Sequence, residues 1–289
     1  MGVVVQELAT LSPSQYGRIL RCPYQVLLEK SVEGRAALAA PGMGAGGAGP
    51  LGTIIHGVLE IAHRAGINDS VAFELAWKRQ LKAQEASLVK RNQQHLVPLA
   101  YRAKNYAVKK LLLRWLVLGM QLEQQATGQH AVSVPLGPEQ RLTDATGCIS
   151  GIADLIRQGP GGALEILDYK TGRIFSEAAR ENAPDIVKEE YALQLRLYAA
   201  LLHEQIGMWP ERLLLVDLAG GEHQVSFTHK QCAKLMHDAR NLHQKIHAAV
   251  SVGRAADLAR PSLALCAACK VQHLCEPYKE TVIASGGDF

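Results

Sequence analysis

Residues 151–170, GIADLIRQGPGGALEILDYK, contain the pattern that decides the expected fold. Apolar runs lie on both sides of residues 159–162, where glycine and proline interrupt them. Glycine and proline favour tight turns, so the stretch predicts two antiparallel strands joined by a hairpin. Asp154 and Asp168 lie at nearly equal distances from the turn, so the two carboxylates are candidates for a shared site.

The register of the hairpin decides whether the two carboxylates share a face. Side chains two apart on a strand point the same way, so Asp168 and Lys170 share one face and Tyr169 has the other. A loop of two or four residues centred on residues 160–161 would put Asp154 and Asp168 on different faces. A shared site therefore requires a loop of odd length or a β-bulge, which the glycines can supply.

An ordinary hairpin with a surface aspartate and a cross-strand Asp–Lys pair explains the same residues, because Asp-x-Lys is common by chance. Two further motifs favour a site. His56 lies four residues after Gly52 in a helix predicted to begin near Leu51. Gln194 and Tyr198 are spaced i and i+4, so they share a face of another predicted helix.

These four motifs, in this order, resemble the PD-(D/E)XK nuclease superfamily and in particular its RecB-like branch. The resemblance implies that Asp154 and Asp168 bind Mg²⁺ or Mn²⁺, with His56 and the main-chain carbonyl of Tyr169 as further metal ligands. Carboxylate oxygens are the ligands that such cations prefer. The metal would stabilise charge on a phosphate and acidify a bound water.

The resemblance also assigns roles to three side chains that are not metal ligands. Lys170 would orient the attacking water or offset negative charge at the phosphate. Gln194 and Tyr198 would position the DNA and the active site. The predicted catalytic residues are therefore Asp154, Asp168, Lys170, Gln194 and Tyr198.

The cysteines indicate a second metal site. Of six cysteines, Cys266, Cys269 and Cys275 form a Cys-x2-Cys-x5-Cys pattern that is too tight for a set of disulfides and suits a metal. Cys22 is the expected fourth ligand, and Cys148 and Cys232 are expected to be small buried residues.

This cysteine pattern resembles the iron–sulfur site of the CRISPR-associated RecB-like exonucleases and of the AddB nuclease domain. The resemblance implies a 4Fe-4S cluster held by Cys22, Cys266, Cys269 and Cys275. Zinc remains the alternative, since four thiolates also suit that ion.

Charge is distributed unevenly along the chain. Residues 78–114 hold ten Lys or Arg and one acid, Glu85, so the segment carries +9 and the rest of the chain carries −5 of the total +4. The basic residues are Lys78, Arg79, Lys82, Lys90, Arg91, Arg102, Lys104, Lys109, Lys110 and Arg114. Phosphate attraction is expected, with Trp77, Tyr101 and Tyr106 as rings for base stacking. The alternative is a solvated basic helix face.

Length and composition are those of a globular protein, with 289 residues of which 48% are hydrophobic. The expected fold is α/β, a restriction-endonuclease-like mixed sheet flanked by helices, with a helical insertion and an iron–sulfur-bound terminal lobe. We expect a single nuclease domain over residues 1–289. Within it, residues 1–50 and 253–289 form the iron–sulfur lobe, 51–135 a helical DNA-binding region and 136–252 the nuclease core.

The resemblance implies a metal-dependent DNA exonuclease that acts on single-stranded ends and trims spacer precursors in CRISPR adaptation, with the CRISPR integrase complex as partner. A RecB-like or AddB-like nuclease of phage or repair origin is one alternative, and a non-catalytic iron–sulfur DNA-binding scaffold is another. The start of the sequence shows no signal peptide, and no apolar run is long enough to cross a membrane. We therefore expect a cytoplasmic protein.

Overall fold

The computed structural model describes residues 3–42, 46–127, 137–159, 162–176 and 186–283. The helices are α1 (Pro13–Arg21), α2 (Pro23–Lys30), α3 (Val32–Ala39), α4 (Ala48–Ala65), α5 (Ser70–Lys90), α6 (Leu99–Arg102), α7 (Tyr106–Thr127), α8 (Glu189–Ile206), α9 (His229–Ser251), α10 (Leu263–Ala267) and α11 (Glu276–Tyr278). The strands are β1 (Gly137–Thr143), β2 (Ser150–Gln158), β3 (Leu164–Lys170), β4 (Arg212–Asp217) and β5 (Glu222–Gln224). Shorter 3-10 helices cover Gln94–Leu96, Ala255–Leu258 and Gln272–Leu274, and a π-helical turn covers Lys279–Ile283.

The five strands form one mixed sheet in the order β1-β2-β3-β4-β5. All neighbouring strands are antiparallel except β3 and β4, which are parallel. A parallel pair needs a crossover between its strands, and α8 lies in that connection. The predicted mixed sheet flanked by helices is therefore confirmed.

Helices cover both faces of the sheet. One face packs against α1, α8 and α9, and the other packs against α4, α5 and α7. Strand β3 is buried along six of its seven residues, as expected for a strand between two helical layers.

The hairpin has the register that a shared carboxylate site requires. Gln158 pairs with Leu164, so five residues, an odd number, form the loop. The same register pairs Leu155 with Leu167 and places Asp154 opposite Asp168. Of the two devices that a shared site required, an odd-length loop or a β-bulge, the hairpin has the odd-length loop.

The sheet divides beside these two aspartates. The ladder between β2 and β3 ends at the pair Leu155 and Leu167. Beyond it, residues 150–153 of β2 pair with β1, and residues 168–170 of β3 pair with β4. We call this divergence of β2 from β3 the fork. It opens space inside the sheet at the carboxylates.

Helix α4 forms because its apolar residues recur at helical spacing and bury one face. Leu51, Ile54, Ile55, Val58 and Leu59 are all buried in the second core. The helix is followed by a glycine at φ +75°, a conformation that L side chains rarely adopt. This buried stripe fixes the rotation of the helix and thus the direction of its flanking polar side chains.

The predicted helical region is helical throughout its described part, from α4 to α7, and residues 128–136 lie outside the described residues. The stacking role expected for Trp77 is wrong. Its ring is 1% exposed, and its Nε1 donates to Tyr106 Oη at 2.8 Å. Tyr101 is 87% exposed and remains free to stack. Among the described helices, none combines the length and the apolar character that crossing a bilayer demands.

Candidate active site

Helix α4 and strand β2 bring a histidine to a carboxylate at the fork. His56 Nδ1 lies 3.3 Å from Asp154 Oδ1. The other oxygen of Asp154 accepts a hydrogen bond of 2.7 Å from the backbone N–H of Tyr169. That N–H faces the point where β2 leaves β3, so the carboxylate replaces a ladder partner and is fixed to β3 through the backbone.

Strand β3 and helix α8 hold the second carboxylate and the lysine. Asp168 is 3% exposed, and its Oδ1 accepts from Gln194 Nε2 at 2.6 Å. Lys170 Nζ donates to Gln194 Oε1 at 2.9 Å and lies 2.5 Å from Asp168 Oδ2. The ammonium also lies 4.3 Å from the centre of the Tyr191 ring, a cation–π contact. Gln194 therefore orients both charged groups at once.

Tyr198 lies one helical turn beyond Gln194 but contacts the protein backbone. Its hydroxyl donates to the carbonyl of Ile152 at 2.6 Å, and the ring is buried. Gly151 allows this approach, since a Cβ there would lie 2.6 Å from Pro13 Cδ and 3.0 Å from Tyr198 Cε1. Close packing against α1 and α8 thus explains why position 151 is a glycine.

The negative charge of Asp154 perturbs its neighbour Asp168. Burial, followed by the negative charge of Asp154, raises the pKa of Asp168 to about 6, although Lys170 opposes the shift. For His56, burial alone would lower the pKa, but the hydrogen bond that its ring donates to Asp154 and the charges of Asp154 and Asp168 raise it. Such a concentration of negative charge favours a bound cation.

Glu139 is a candidate ligand that the sequence did not reveal. It lies on β1 opposite Asp154, between the pairs Pro138–Leu155 and Gln140–Ala153, and its φ is +54°. Ligand atoms of His56, Glu139 and Asp154 all lie within 4.8 Å of one another. Burial and the charge of Asp154 raise the pKa of Glu139. Nothing local marks this residue, because its position depends on the register of a separate strand.

These three residues line a cavity of about 590 Å³ that also contacts Gly52 and Glu60. The cavity gives a substrate access to the side of the fork that faces α4. The side that faces α8 is closed by the contacts of Gln194 with Asp168 and Lys170.

His63, two turns after His56, supports the site through a strand residue. Its Nε2 lies 2.9 Å from Tyr169 Oη. Burial lowers the pKa of His63 to about 4, so the ring is neutral at physiological pH. The partner of His63 could not be read from spacing, because the two residues are 106 positions apart.

The four predicted cofactor ligands, Cys22, Cys266, Cys269 and Cys275, line one cavity, and all are free thiols. Burial, then the neighbouring Cys266 and Cys22, raises the pKa of Cys269 to about 11 despite a backbone hydrogen bond. Within the described residues, no three of these sulfurs lie within 4.8 Å of one another.

The two remaining cysteines differ from each other. Cys232 is completely buried, as expected, and burial raises its pKa to about 11. Cys148 is only partly buried, because it lies in the turn between β1 and β2, so the expectation of a buried residue is wrong for Cys148.

Comparison with known proteins gives a match to one family model and matches to solved structures. A model of the PD-(D/E)XK nuclease superfamily matches residues 10–276. No curated protein matches the chain significantly. A solved structure described as "Crystal structure of SSO0001" is similar over 95% of this chain and 89% of its own, with 16% sequence identity and a TM-score of 0.34.

Proposed function

The chain belongs to the PD-(D/E)XK nuclease superfamily, and from that premise we propose that it is a divalent-metal-dependent exonuclease that degrades single-stranded DNA ends. The observation that carries the proposal is the fork. There, on two strands of one hairpin, Asp154 contacts His56, and Asp168 and Lys170 contact each other and Gln194.

The donor set fits a divalent cation. Asp154, Asp168 and His56 would hold it, with the carbonyl of Tyr169 and the carboxylate of Glu139 as further ligands. Carboxylate and carbonyl oxygens suit Mg²⁺ and Mn²⁺, and imidazole nitrogen favours Mn²⁺ of the two. The bound ion supplies Lewis acidity and a lowered pKa of coordinated water.

The chain's own residues supply positioning and charge. Lys170 is held by Asp168, Gln194 and the ring of Tyr191, so its ammonium needs no rearrangement to orient a water or to offset charge on the phosphate. Tyr198 fixes β2 through the Ile152 carbonyl and so acts as a positioning residue.

An iron–sulfur cluster is part of the proposal. The cavity that the four cysteines line contains thiols without a disulfide, which suits a metal group. Four thiolates suit a tetrahedral zinc as well as a cluster. The resemblance of the cysteine pattern to that of the RecB-like iron–sulfur exonucleases is what favours a 4Fe-4S cluster over a single zinc.

We assign the enzyme to CRISPR adaptation, where it would trim single-stranded overhangs of spacer precursors in the cytoplasm beside the integrase complex. The support is the order of motifs together with the cysteine pattern. Exposed basic side chains of residues 51–127, such as Lys78, Arg79 and Lys82, provide the phosphate-binding surface of this region. Co-purification with the integrase and trimming of precursor overhangs test this role, and a full-length precursor after incubation would contradict it.

The nuclease is tested with end-labelled single strands of about 20 nucleotides in Mn²⁺, Mg²⁺ or EDTA, and with a circular single strand. Wild type should shorten the linear strand in either metal and leave the circle intact. Asp168→Ala and Lys170→Ala should be inactive, and the exposed controls Asp257→Ala and Lys245→Ala should match wild type. Equal degradation by all variants would remove the enzymatic proposal, and cutting of the circle would contradict exonuclease action.

The cofactor is tested on anaerobically purified protein. Iron, acid-labile sulfide and zinc are counted, and visible charge-transfer absorption is recorded. If the protein contains stoichiometric zinc and no iron, the site is a zinc site and the cluster proposal is wrong.

A further inference from the structure

The cavity at the fork continues into a second cavity. The first, of about 590 Å³, and the second, of about 510 Å³, share Gly49 and Thr53 as walls. Both residues belong to the first turns of α4. Together the two cavities form a groove that begins at the carboxylates, passes the N-terminus of α4 and ends between α3 and the end of α5. We call it the α4 groove.

The groove changes charge along its length. Its acidic residues, Glu60, Glu139 and Asp154, line only the cavity at the fork. Arg91 and His95 line only the far cavity, and none of the described residues that line it is acidic. The negative charge that would bind a metal thus lies at one end of the groove, and the positive charge that would bind an anion lies at the other end.

The far cavity offers several donors to phosphate. Arg91 Nε donates to the Ser87 carbonyl, and within the described part of the chain its guanidinium has no acidic partner. The N-terminus of α4 lies between the two cavities and presents the positive end of an 18-residue helix. Gln80 lines the fork cavity and Gln84, one turn later, lines the far one, so α5 presents amide groups along the wall.

The dimensions suit one strand. Each cavity has the volume of a small-molecule pocket, which is enough for nucleotides of a single chain. From His56 to Gly49 the groove follows seven helical residues, about 10 Å. Gly49 keeps this path clear, because a Cβ there would meet nothing within 4 Å.

We propose that the α4 groove binds the single DNA strand that is cut, with the scissile phosphate at the fork and the following phosphates at the start of α4 and at Arg91. This inference rests on the proposed nuclease function and adds the path of the substrate. Gln80 and Gln84 contact the strand without reading its sequence, and Leu38 and Leu96 offer an apolar surface to a base in the far cavity.

A steric test uses Gly49→Leu, with Gly119→Leu as the matched control. Both glycines are helical, and a Cβ at either would meet nothing within 4 Å, so each variant should fold. Cleavage of the oligonucleotide and hydrolysis of bis(4-nitrophenyl) phosphate are measured in Mn²⁺. We expect the ratio of the two rates to fall at least ~10-fold for Gly49→Leu and to be unchanged for Gly119→Leu. An unchanged ratio for Gly49→Leu would overturn the path.

An electrostatic test uses Arg91→Ala against Lys245→Ala, an exposed lysine on α9. Binding of the oligonucleotide is measured in Ca²⁺ over a range of salt concentrations. Loss of one phosphate contact should reduce the slope of log K against log salt by about 0.7 and weaken binding several-fold for Arg91→Ala. Equal slopes in both variants would also overturn the path.

These outcomes are separable from those of the nuclease proposal. If wild type cuts the oligonucleotide and both groove variants behave as their controls, the nuclease proposal stands and the proposed path of the strand is rejected. Wild type that hydrolyses neither substrate in Mn²⁺ or Mg²⁺ rejects the nuclease, and the path is rejected with it.

Discussion

The fork and the cysteine cavity hold their polar groups in opposite ways. At the fork, Asp168 accepts from Gln194, and Asp154 accepts from the Tyr169 backbone, so the chain itself orients both carboxylates. In the cysteine cavity the four thiols form no disulfide, and burial raises the pKa of Cys269 to about 11. The comparison teaches that hydrogen bonds within the chain orient the side chains of the first site. The thiols of the second site have no cross-link of their own, and in our proposal a bound group would supply it.

The largest expected effect is on catalysis at the fork. Asp168→Asn should reduce single-turnover cleavage by about 10³-fold, because the amide is a poor metal ligand and cannot pair with Lys170. Its Tm should change by less than ~5 °C, since Gln194 can still donate to the amide oxygen. A matching loss of structure by circular dichroism would show that the fork is not preorganised.

Chelation of wild type extends this prediction. EDTA should abolish cleavage, and Mn²⁺ should restore it without refolding. If activity returned only after unfolding and refolding, the fork would depend on its bound ion for its structure, and the contrast between the two sites would not hold.

The next effect is on stability. Cys22→Ser should lower Tm by at least ~10 °C and remove the bound metal, because the group cross-links the two ends of the chain. Cys148→Ser is the matched control and should melt as wild type does, since Cys148 lies outside the cavity. A Cys22→Ser protein with the wild-type Tm and metal content would show that the cysteine cavity is also held by the chain alone.

A smaller effect is expected from the residue that bridges the fork. Gln194→Ala removes the partner of both Asp168 and Lys170 and should slow cleavage about 10–100-fold while raising the Mn²⁺ concentration needed for half-maximal rate. Gln205→Ala, an exposed position on the same helix, should leave both quantities unchanged. A slower rate with an unaltered Mn²⁺ requirement would contradict the orienting role.

The smallest effect concerns acid stability. The folded pKa of His63 is about 4, below the ordinary value of 6.5, so the unfolded chain binds the proton first as pH falls. Stability should therefore decrease below about pH 6.5, by roughly 2 kcal/mol at about pH 5, until pH falls below the folded pKa. Urea unfolding in EDTA of wild type and His63→Gln measures the difference, and an equal acid dependence in both would contradict it.

Local patterns in the sequence predicted the hairpin because strand alternation and turn residues are short-range properties. The need for an odd loop or a β-bulge followed from placing both carboxylates on one face, and the structure has the odd loop. The same alternation predicted that Asp168 and Lys170 share a face and that Tyr169 has the other. In the structure Asp168 and Lys170 contact α8, and Tyr169 packs in the core with α4. The roles of these residues in catalysis stay predictions.

Long-range contacts could not be read in this way. Glu139 reaches the fork through the register of β1, and Tyr169 meets His63 across the sheet. The predicted stacking role of Trp77 was wrong for a simple reason. Composition shows that an aromatic residue lies in a basic segment, but it does not show which way the side chain faces. Only the packing of α5 on α7 decides that the ring is buried.

Helix α1 joins the two sites that the comparison separates. Its first residue, Pro13, lies against Gly151, three residues before Asp154, and the helix is followed directly by Cys22. Nine helical residues, about 14 Å, thus connect the β2–β3 hairpin to Cys22. Under the proposed assignments, an oxidant that destroys a cluster at Cys22 would also displace the hairpin that carries Asp154 and so reduce cleavage.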